Sequence, residues 1–118
     1  MPPLSDPERW TWYWNALENW DVEGYVIFEK DARDWLRVEL PAYAVKQLAE
    51  LLYLHVEEHG CGCVDEQTET REQWRDKHEF HHDLRVRIEG RLVYFETRLI
   101  VLRKNKDSYI AVVNAHDA

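Results

Sequence analysis

Apolar and polar residues alternate along two neighbouring segments in the second half of the chain. In residues 79–88 every second position belongs to one mainly apolar face, which consists of Phe80, His82, Leu84, Val86 and Ile88. A second alternating segment runs from Arg91 to Leu102, and Glu89-Gly90 lies between the two. Because glycine adopts positive φ without a steric cost, this dipeptide suits a two-residue turn. The pattern predicts a β-hairpin.

The length of the turn fixes which residues of the hairpin face each other. A two-residue turn pairs apolar residues with one another, and on the other face it pairs Asp83 with Glu96, Arg85 with Tyr94, Arg87 with Leu92 and His81 with Arg98. A three-residue turn pairs Leu84 with Glu96 and His82 with Arg98. That register mixes apolar and charged partners, and a slip of one residue is costly when one face is buried. We therefore predict the two-residue turn.

Helical patterns dominate the first half of the chain. Residues 5–8 form a capping box with Pro7 in the first turn, and the helix that follows carries an apolar stripe of Trp10, Tyr13, Trp14, Leu17 and Trp20. Trp12 lies off this stripe, where it either packs under a loop or is exposed as an anchor for a partner. A second helix is predicted from Ala42 to His59, with Pro41 before it and Gly60 ending it. A second capping box at 70–73 predicts a short helix that ends near Lys77.

The remaining segments complete an α+β fold. Short strands are predicted at 25–28 and 35–40, with a turn or single helical turn at 30–34, and 61–69 is predicted as a polar loop. After the hairpin we predict a turn at 105–108 and a last strand at 109–113. The order of elements predicts one α+β domain over residues 1–118, with N-terminal helices packed on a C-terminal antiparallel β-meander.

Composition and charge limit the classes of function. The chain has 118 residues, 45% of them hydrophobic, and a formal net charge of −8, which argues against non-specific binding to nucleic acid or acidic membranes. Residues 85–106 nevertheless hold seven Lys and Arg against two Glu, so they favour an anionic ligand. No apolar run is long enough for a membrane span, and no signal peptide is evident. With two closely spaced cysteines, we expect a reduced, cytoplasmic protein.

The polar face of the hairpin is the first candidate site. Asp83 and Glu96 are predicted to be opposed, and such carboxyl pairs raise one another's pKa while nearby cations lower it. His81 is suited to acid/base work near neutral pH, and Tyr94 is a second donor. Three arginines are suited to holding a phosphate or carboxylate group, namely Arg85, Arg87 and Arg98. The alternative is a solvated face with cross-strand ion pairs. On the other face we expect His82 to be a core residue, with Thr97 as its partner.

The second candidate is a metal site. His55 and His59 are four residues apart on one predicted helix face, and Cys61 and Cys63 follow at once. Imidazole and thiolate are zinc ligands, so zinc is the one cofactor that the sequence suggests. The alternatives are a surface loop, a redox pair, or cysteines that act with His78 or His81. The chain contains no nucleotide-binding glycine motif, serine-hydrolase elbow or H-E-x-x-H motif.

The hairpin also carries a family resemblance. A polar residue precedes Asp83-Leu84-Arg85, Gly90 forms the turn, and Val93-Tyr94 opens the next strand. From His78 to about Val101 the chain resembles the RelE-like ribonuclease toxins of bacteria, in particular the motility quorum-sensing regulator branch. The resemblance implies RNA cleavage on a small antiparallel sheet by acid/base groups and phosphate-binding cations, with Tyr94 matching a family tyrosine.

Three functions are consistent with the sequence. The first is a metal-independent, ribonuclease-like enzyme in which His81 and Glu96 exchange protons and the arginines hold phosphate. The second is a non-catalytic module that binds a protein partner through Trp12 or through a sheet edge at Tyr109–Val113. The third is a zinc-stabilised domain.

Overall fold

Five strands form one sheet in the computed structural model, which describes residues 2–102 and 108–118. In chain order they are β1 (Val26–Phe28), β2 (Asp65–Thr68), β3 (Phe80–Ile88), β4 (Arg91–Val101) and β5 (Ser108–Asp117). Their order across the sheet is β1-β5-β4-β3-β2. β1 runs parallel to β5, and the other neighbours are antiparallel. The predicted antiparallel meander is therefore the centre of a larger sheet.

Three helices cover one face of this sheet, namely α1 (Pro7–Glu18), α2 (Lys30–Glu39) and α3 (Val45–His59). The single turn α4 (Glu72–Arg75) contributes Trp74 to the other face, where its ring lies against Arg98, and a 3-10 turn is formed at Cys61–Cys63. The core joins buried residues of α1, α2 and α3 to alternate residues of β3, β4 and β5, including Leu84, Val86, Phe95, Ile110 and Val112. Burying these side chains is the main favourable contribution to folding. The α+β class, with helices packed on an antiparallel sheet, is confirmed.

The predicted hairpin register is confirmed from the turn to the middle of the strands. Ile88 pairs with Arg91, Asp83 with Glu96, and His82 with Thr97. The His82–Thr97 pair is the end of the β3–β4 ladder among the described residues. The predicted His81–Arg98 pair lies just beyond that limit. Glu89 and Gly90 have φ angles of 52° and 79°, so the two-residue turn needs positive φ at both positions.

Two helices begin later than predicted. The side chain of Asp6, rather than that of Ser5, caps α1 by accepting a hydrogen bond from the Arg9 amide at 2.9 Å. α3 begins at Val45 instead of Ala42, with the Gln47 side chain accepting from the Ala44 amide at 2.8 Å. Gly60 ends α3 with a φ of 74°, as predicted.

The strand predicted at residues 35–40 is wrong, whereas the helical turn considered for residues 30–34 is the start of a longer helix. The segment from Trp35 to Leu40 was predicted to be a strand because apolar and polar residues alternate there, but Lys30–Glu39 forms α2. The buried residues Ala32 and Leu36 of this helix and Leu40, which caps its end, are four apart, and this is the helical spacing. The alternation arose because Val38 is apolar yet 71% exposed.

Two further predictions about strands need correction. The segment from Cys61 to Glu69 is not only a loop, because β2 lies within it and pairs with β3. The expected free sheet edge at Tyr109–Val113 is also wrong, since Ile110, Ala111 and Val112 pair with β1 on one side while β5 pairs with β4 on the other. The predicted turn at 105–108 falls mostly on residues 105–107, outside the described residues.

Candidate functional site

A cluster of charged side chains lies on the face of the sheet opposite the core. We call it the open-face cluster, and it consists of Glu69, Arg71, His81, Asp83, Glu96 and Arg98. Asp83 and Glu96 are opposed across β3 and β4, as predicted, and each is only 4% exposed. Two ionised carboxylates buried side by side need compensating charge.

Two arginines supply that charge. Arg98 Nη2 donates to Glu69 Oε2 at 3.1 Å and to Glu96 Oε2 at 3.2 Å. Arg71 donates to Glu96 Oε1 at 3.1 Å and to Glu69 Oε1 at 2.8 Å. The hydrogen bond from Arg71 lowers the pKa of Glu69 to about 2, against the opposite effect of burial, and Arg98 adds to this. The opposition of Asp83 and Glu96 is therefore tolerated because Glu96 is held by two guanidinium groups.

His81 is oriented by a carboxylate. Its Nδ1 lies 2.8 Å from Asp83 Oδ1, and its Nε2 lies 3.8 Å from Glu69 Oε2. A carboxylate at one ring nitrogen fixes the ring and stabilises the imidazolium, which leaves the other nitrogen for proton exchange. The side chain of His81 keeps 16% of its surface exposed, so a ligand can reach it.

Tyr94 adjoins this pair. Burial raises the pKa of the Tyr94 hydroxyl, and the nearby Asp83 carboxylate, with which it forms a hydrogen bond, raises it further. The hydroxyl therefore stays protonated at neutral pH and acts as a donor. The ring of Tyr94 stacks on His116 at 4.5 Å, and the Arg85 guanidinium lies 5.4 Å from its centroid.

The three predicted phosphate-binding arginines do not converge. Arg98 is 1% exposed, and its guanidinium lies 4.5 Å from the centroid of the Trp74 ring. Arg85 pairs with Asp65 at 2.9 Å, and Arg87 donates to the carbonyl of Gly90 at 3.2 Å. Arg85 alone of the three combines exposure with proximity to Tyr94.

Sequence reasoning missed two members of the cluster, Glu69 and Arg71. They follow β2, whose residues are all polar, so no alternation marked the segment as part of the sheet. The main-chain hydrogen bond from the Glu69 amide to the Glu79 carbonyl, at 2.8 Å, brings this segment beside β3. Arg71 keeps 41% of its side-chain surface exposed and is therefore the accessible cation of the cluster.

His82 lies on the core face, as predicted, but the partner of its ring is Glu66 and not Thr97. Its Nε2 lies 3.0 Å from Glu66 Oε2, and Arg9 donates to both oxygens of Glu66 at 2.9 Å. Thr97 instead donates to the main-chain carbonyl of His82 at 2.6 Å and lies 2.8 Å from the Tyr13 hydroxyl. Burial lowers the pKa of His82.

The structure brings three of the four predicted metal ligands to one cavity. The rings of His55 and His59 lie 4.7 Å apart, and both line a cavity of about 440 Å³ together with Cys63 and Asp65. Cys61 is a free thiol like Cys63 but does not line that cavity. Burial raises the pKa of the Cys63 thiol to about 11.

Another set of possible metal ligands lies in the open-face cluster. Among the described residues, the donor atoms of Glu69, His81 and Glu96 lie within 4.8 Å of one another. Both carboxylates already accept hydrogen bonds from Arg71 and Arg98. These two positive charges oppose a cation at the same place.

Comparison with protein-family models, with curated proteins and with solved structures gave no match. Within residues 2–102 and 108–118, no helix is both long and apolar enough to cross a bilayer.

Proposed function

We propose that the open face of the sheet is an acid/base site that acts on a phosphate-containing ligand such as RNA, with His81 as the group that exchanges a proton. The observation that carries the proposal is the 2.8 Å contact between His81 Nδ1 and Asp83 Oδ1 on a ring that remains partly exposed. This is the arrangement by which a carboxylate orients a histidine base.

RNA cleavage needs only proton transfer and charge stabilisation from these residues. His81 Nε2 takes the proton of a ribose 2′-hydroxyl, whose oxygen attacks the neighbouring phosphorus while the bond from phosphorus to the 5′ oxygen breaks. The imidazolium, stabilised by Asp83, then returns the proton to the departing 5′ oxygen. The products are a 2′,3′-cyclic phosphate and a free 5′-hydroxyl.

The neighbouring residues have supporting roles. Arg71 and Arg85, both partly exposed, stabilise the charge on the phosphate oxygens. Glu96 accepts hydrogen bonds from two arginines, so we assign it to holding Arg71 rather than to exchanging a proton. The stacked Tyr94 and His116 offer a surface on which an unpaired base can stack, which favours single-stranded RNA over a simple phosphate.

The test is cleavage of a mixed small-RNA substrate by wild-type protein and by a His81→Gln variant. Loss of an acid/base group lowers the rate by at least about 100-fold, so cleavage by the variant should nearly disappear. His59→Gln is the matched control, because this histidine is half-exposed on α3 and outside the cluster, and its rate should be unchanged. Circular dichroism of each variant checks the fold. No cleavage by the wild-type protein, or equal rates for wild type and His81→Gln, would contradict the proposal.

A further inference from the structure

The sheet ends in two outer strands, β2 and β1, and only β2 is covered. Pro3 forms a bridge with Asp65 on the outer side of β2, and the Glu66 amide donates to the Pro2 carbonyl at 2.9 Å. In the part of the chain that the structure describes, no segment pairs with the outer side of β1. The uncovered edge therefore lies at β1, one strand beyond the edge that the sequence predicted.

The main chain of β1 presents hydrogen-bonding groups to this uncovered side. Its bonds to β5 include those of the Tyr25 carbonyl and the Glu29 amide, at 2.8 Å and 2.9 Å from their partners. Because alternate residues of a strand turn their main-chain groups to opposite sides, those of Val26 and Phe28 point away from β5. Amides and carbonyls in a row along an outer strand are a template for a further strand.

The residues of β1 do not oppose such pairing. The strand consists of Val26, Ile27 and Phe28, without a charge or a proline. Natural outer strands usually carry charged residues, prolines or bulges that prevent association with another chain. Ile27 pairs with Ala111 on the face opposite the core and is 42% exposed. β1 thus has the composition of a strand that another strand covers.

A groove of about 420 Å³ runs beside β1, between the strand and the first turn of α3. Two of the apolar residues that line it, Val22 and Val45, are 47% and 48% exposed. Exposed apolar side chains gathered in one place mark an interaction surface. Here they lie next to the outward main-chain groups of β1, which is the combination used when an extended segment is added to a sheet edge.

The charges that line this groove favour a second copy of the chain as the partner. The carboxylates, Asp21 and Glu23, precede β1, and the cations, Arg33 and Lys46, lie on the helices that follow it. When two copies of β1 run antiparallel, the segment before one strand lies beside the segment after the other. The carboxylates of each copy then approach Arg33 of the other copy, which is electrostatically favourable.

We propose that β1 pairs with β1 of a second copy, antiparallel about a two-fold axis at Ile27, and that the two sheets become one continuous sheet. In this register Val26 of each copy exchanges main-chain hydrogen bonds with Phe28 of the other, and the two Ile27 side chains meet at the axis. The exposed Val22 and Val45 are covered by the second copy. The interface lies outside the open-face cluster and does not depend on the proposed acid/base function.

The experiment measures the mass of the full-length protein by sedimentation equilibrium over a range of concentrations. Wild type should pass from monomer to dimer as the concentration rises. Ile27→Glu should weaken the dimer at least about tenfold, because it removes an apolar contact and sets two carboxylates against each other at the axis. Leu54→Glu is the matched control, since Leu54 is 45% exposed on α3 but does not line the groove, and its dimer should equal that of wild type.

A charge exchange tests the register itself. Ile27→Lys alone should also weaken the dimer, but an equimolar mixture of Ile27→Glu and Ile27→Lys should associate, because opposite charges then meet at the axis. Hydrogen exchange of wild type is the second measurement, and the Val26 and Phe28 amides should become protected as the concentration rises. A wild-type monomer at every concentration, a dimer that Ile27→Glu leaves unchanged, a mixture that stays monomeric, or a dimer without protection of these amides would overturn the proposal.

Discussion

At the scale of single residues, the adjacent His81 and His82 show how strand alternation gives one residue type two environments. His81 lies on the open face beside Asp83, and His82 lies on the core face beside Glu66. The His81 side chain is 16% exposed, whereas His82 is buried and its pKa is lowered by that burial. The alternation of β3 predicted this separation.

Glu69 is the residue whose ionisation most clearly links structure to stability. Its pKa is lowered from 4.5 to about 2, first by the hydrogen bond from Arg71. The folded form therefore binds a proton less readily than the unfolded chain. The resulting stability, up to about 3 kcal/mol, is present above pH 4.5 and is lost as the pH falls towards 2.

We predict that Glu69→Gln lowers the free energy of unfolding at pH 7 and that the difference from wild type shrinks as the pH falls towards 2. Urea unfolding between pH 7 and pH 2 measures this difference. Glu58→Gln, which changes a side chain that is 77% exposed, is the control and should follow the wild-type pH dependence. A difference for Glu69→Gln that stays constant across this range would show that the pKa of Glu69 is not lowered.

At the scale of elements, the apolar–polar pattern of the sequence predicted the correct element where the apolar residues are the ones that the fold buries. The hairpin was predicted because Leu84, Val86 and Ile88 alternate with charged residues and Glu89-Gly90 permits the turn. α2 was missed because the exposed Val38 imitates strand alternation, although the spacing of Ala32, Leu36 and Leu40 was a helical signal. β2 had no signal of its own, since main-chain pairing with β3 fixes it rather than apolar side chains.

The same reasoning explains how much of the candidate site could be predicted. The opposed Asp83 and Glu96 follow from the register of one hairpin, which is a local property of the sequence. Arg71 and Glu66 come from either side of Glu69 and reach opposite faces of the sheet. Their positions depend on how residues 64–79 pack on β3, and this requires contacts between distant parts of the chain.

The turn between β3 and β4 gives a prediction at this scale. Gly90 has a φ of 79°, and a Cβ added there meets no atom within 4 Å, so the cost of alanine is that of the backbone conformation alone. We expect Gly90→Ala to lower the free energy of unfolding by about 1 kcal/mol. Gly62→Ala is the matched control because its surroundings are equally open and its φ is not positive. Equal effects of the two substitutions in urea unfolding would contradict this account.

At the scale of the whole molecule, the sheet separates two polar networks. Arg71, Glu96 and Arg98 belong to the open face, while Arg9, Glu66 and His82 lie on the side that α1 covers. Each network draws on β3, so the position of this strand affects both. The Tyr13 hydroxyl, the Thr97 hydroxyl and the His82 carbonyl form a buried chain that connects α1 to β4 and β3.

This chain predicts that the helix layer and the sheet are coupled through Thr97. Thr97→Val keeps the shape of the side chain but leaves the Tyr13 hydroxyl without its partner and removes the donor to the His82 carbonyl, so we expect a loss of about 2–3 kcal/mol. Tyr13→Phe leaves the Thr97 bond to His82 in place and should cost about 1 kcal/mol. The double variant should cost less than the sum of the two single losses, because both substitutions remove the same hydrogen bond.

Urea unfolding of the wild type, the two single variants and the double variant measures the coupling. The exposed Thr11→Val is the control for the loss of a hydroxyl. Strictly additive losses would mean that the hydrogen bond between Tyr13 and Thr97 does not contribute to stability.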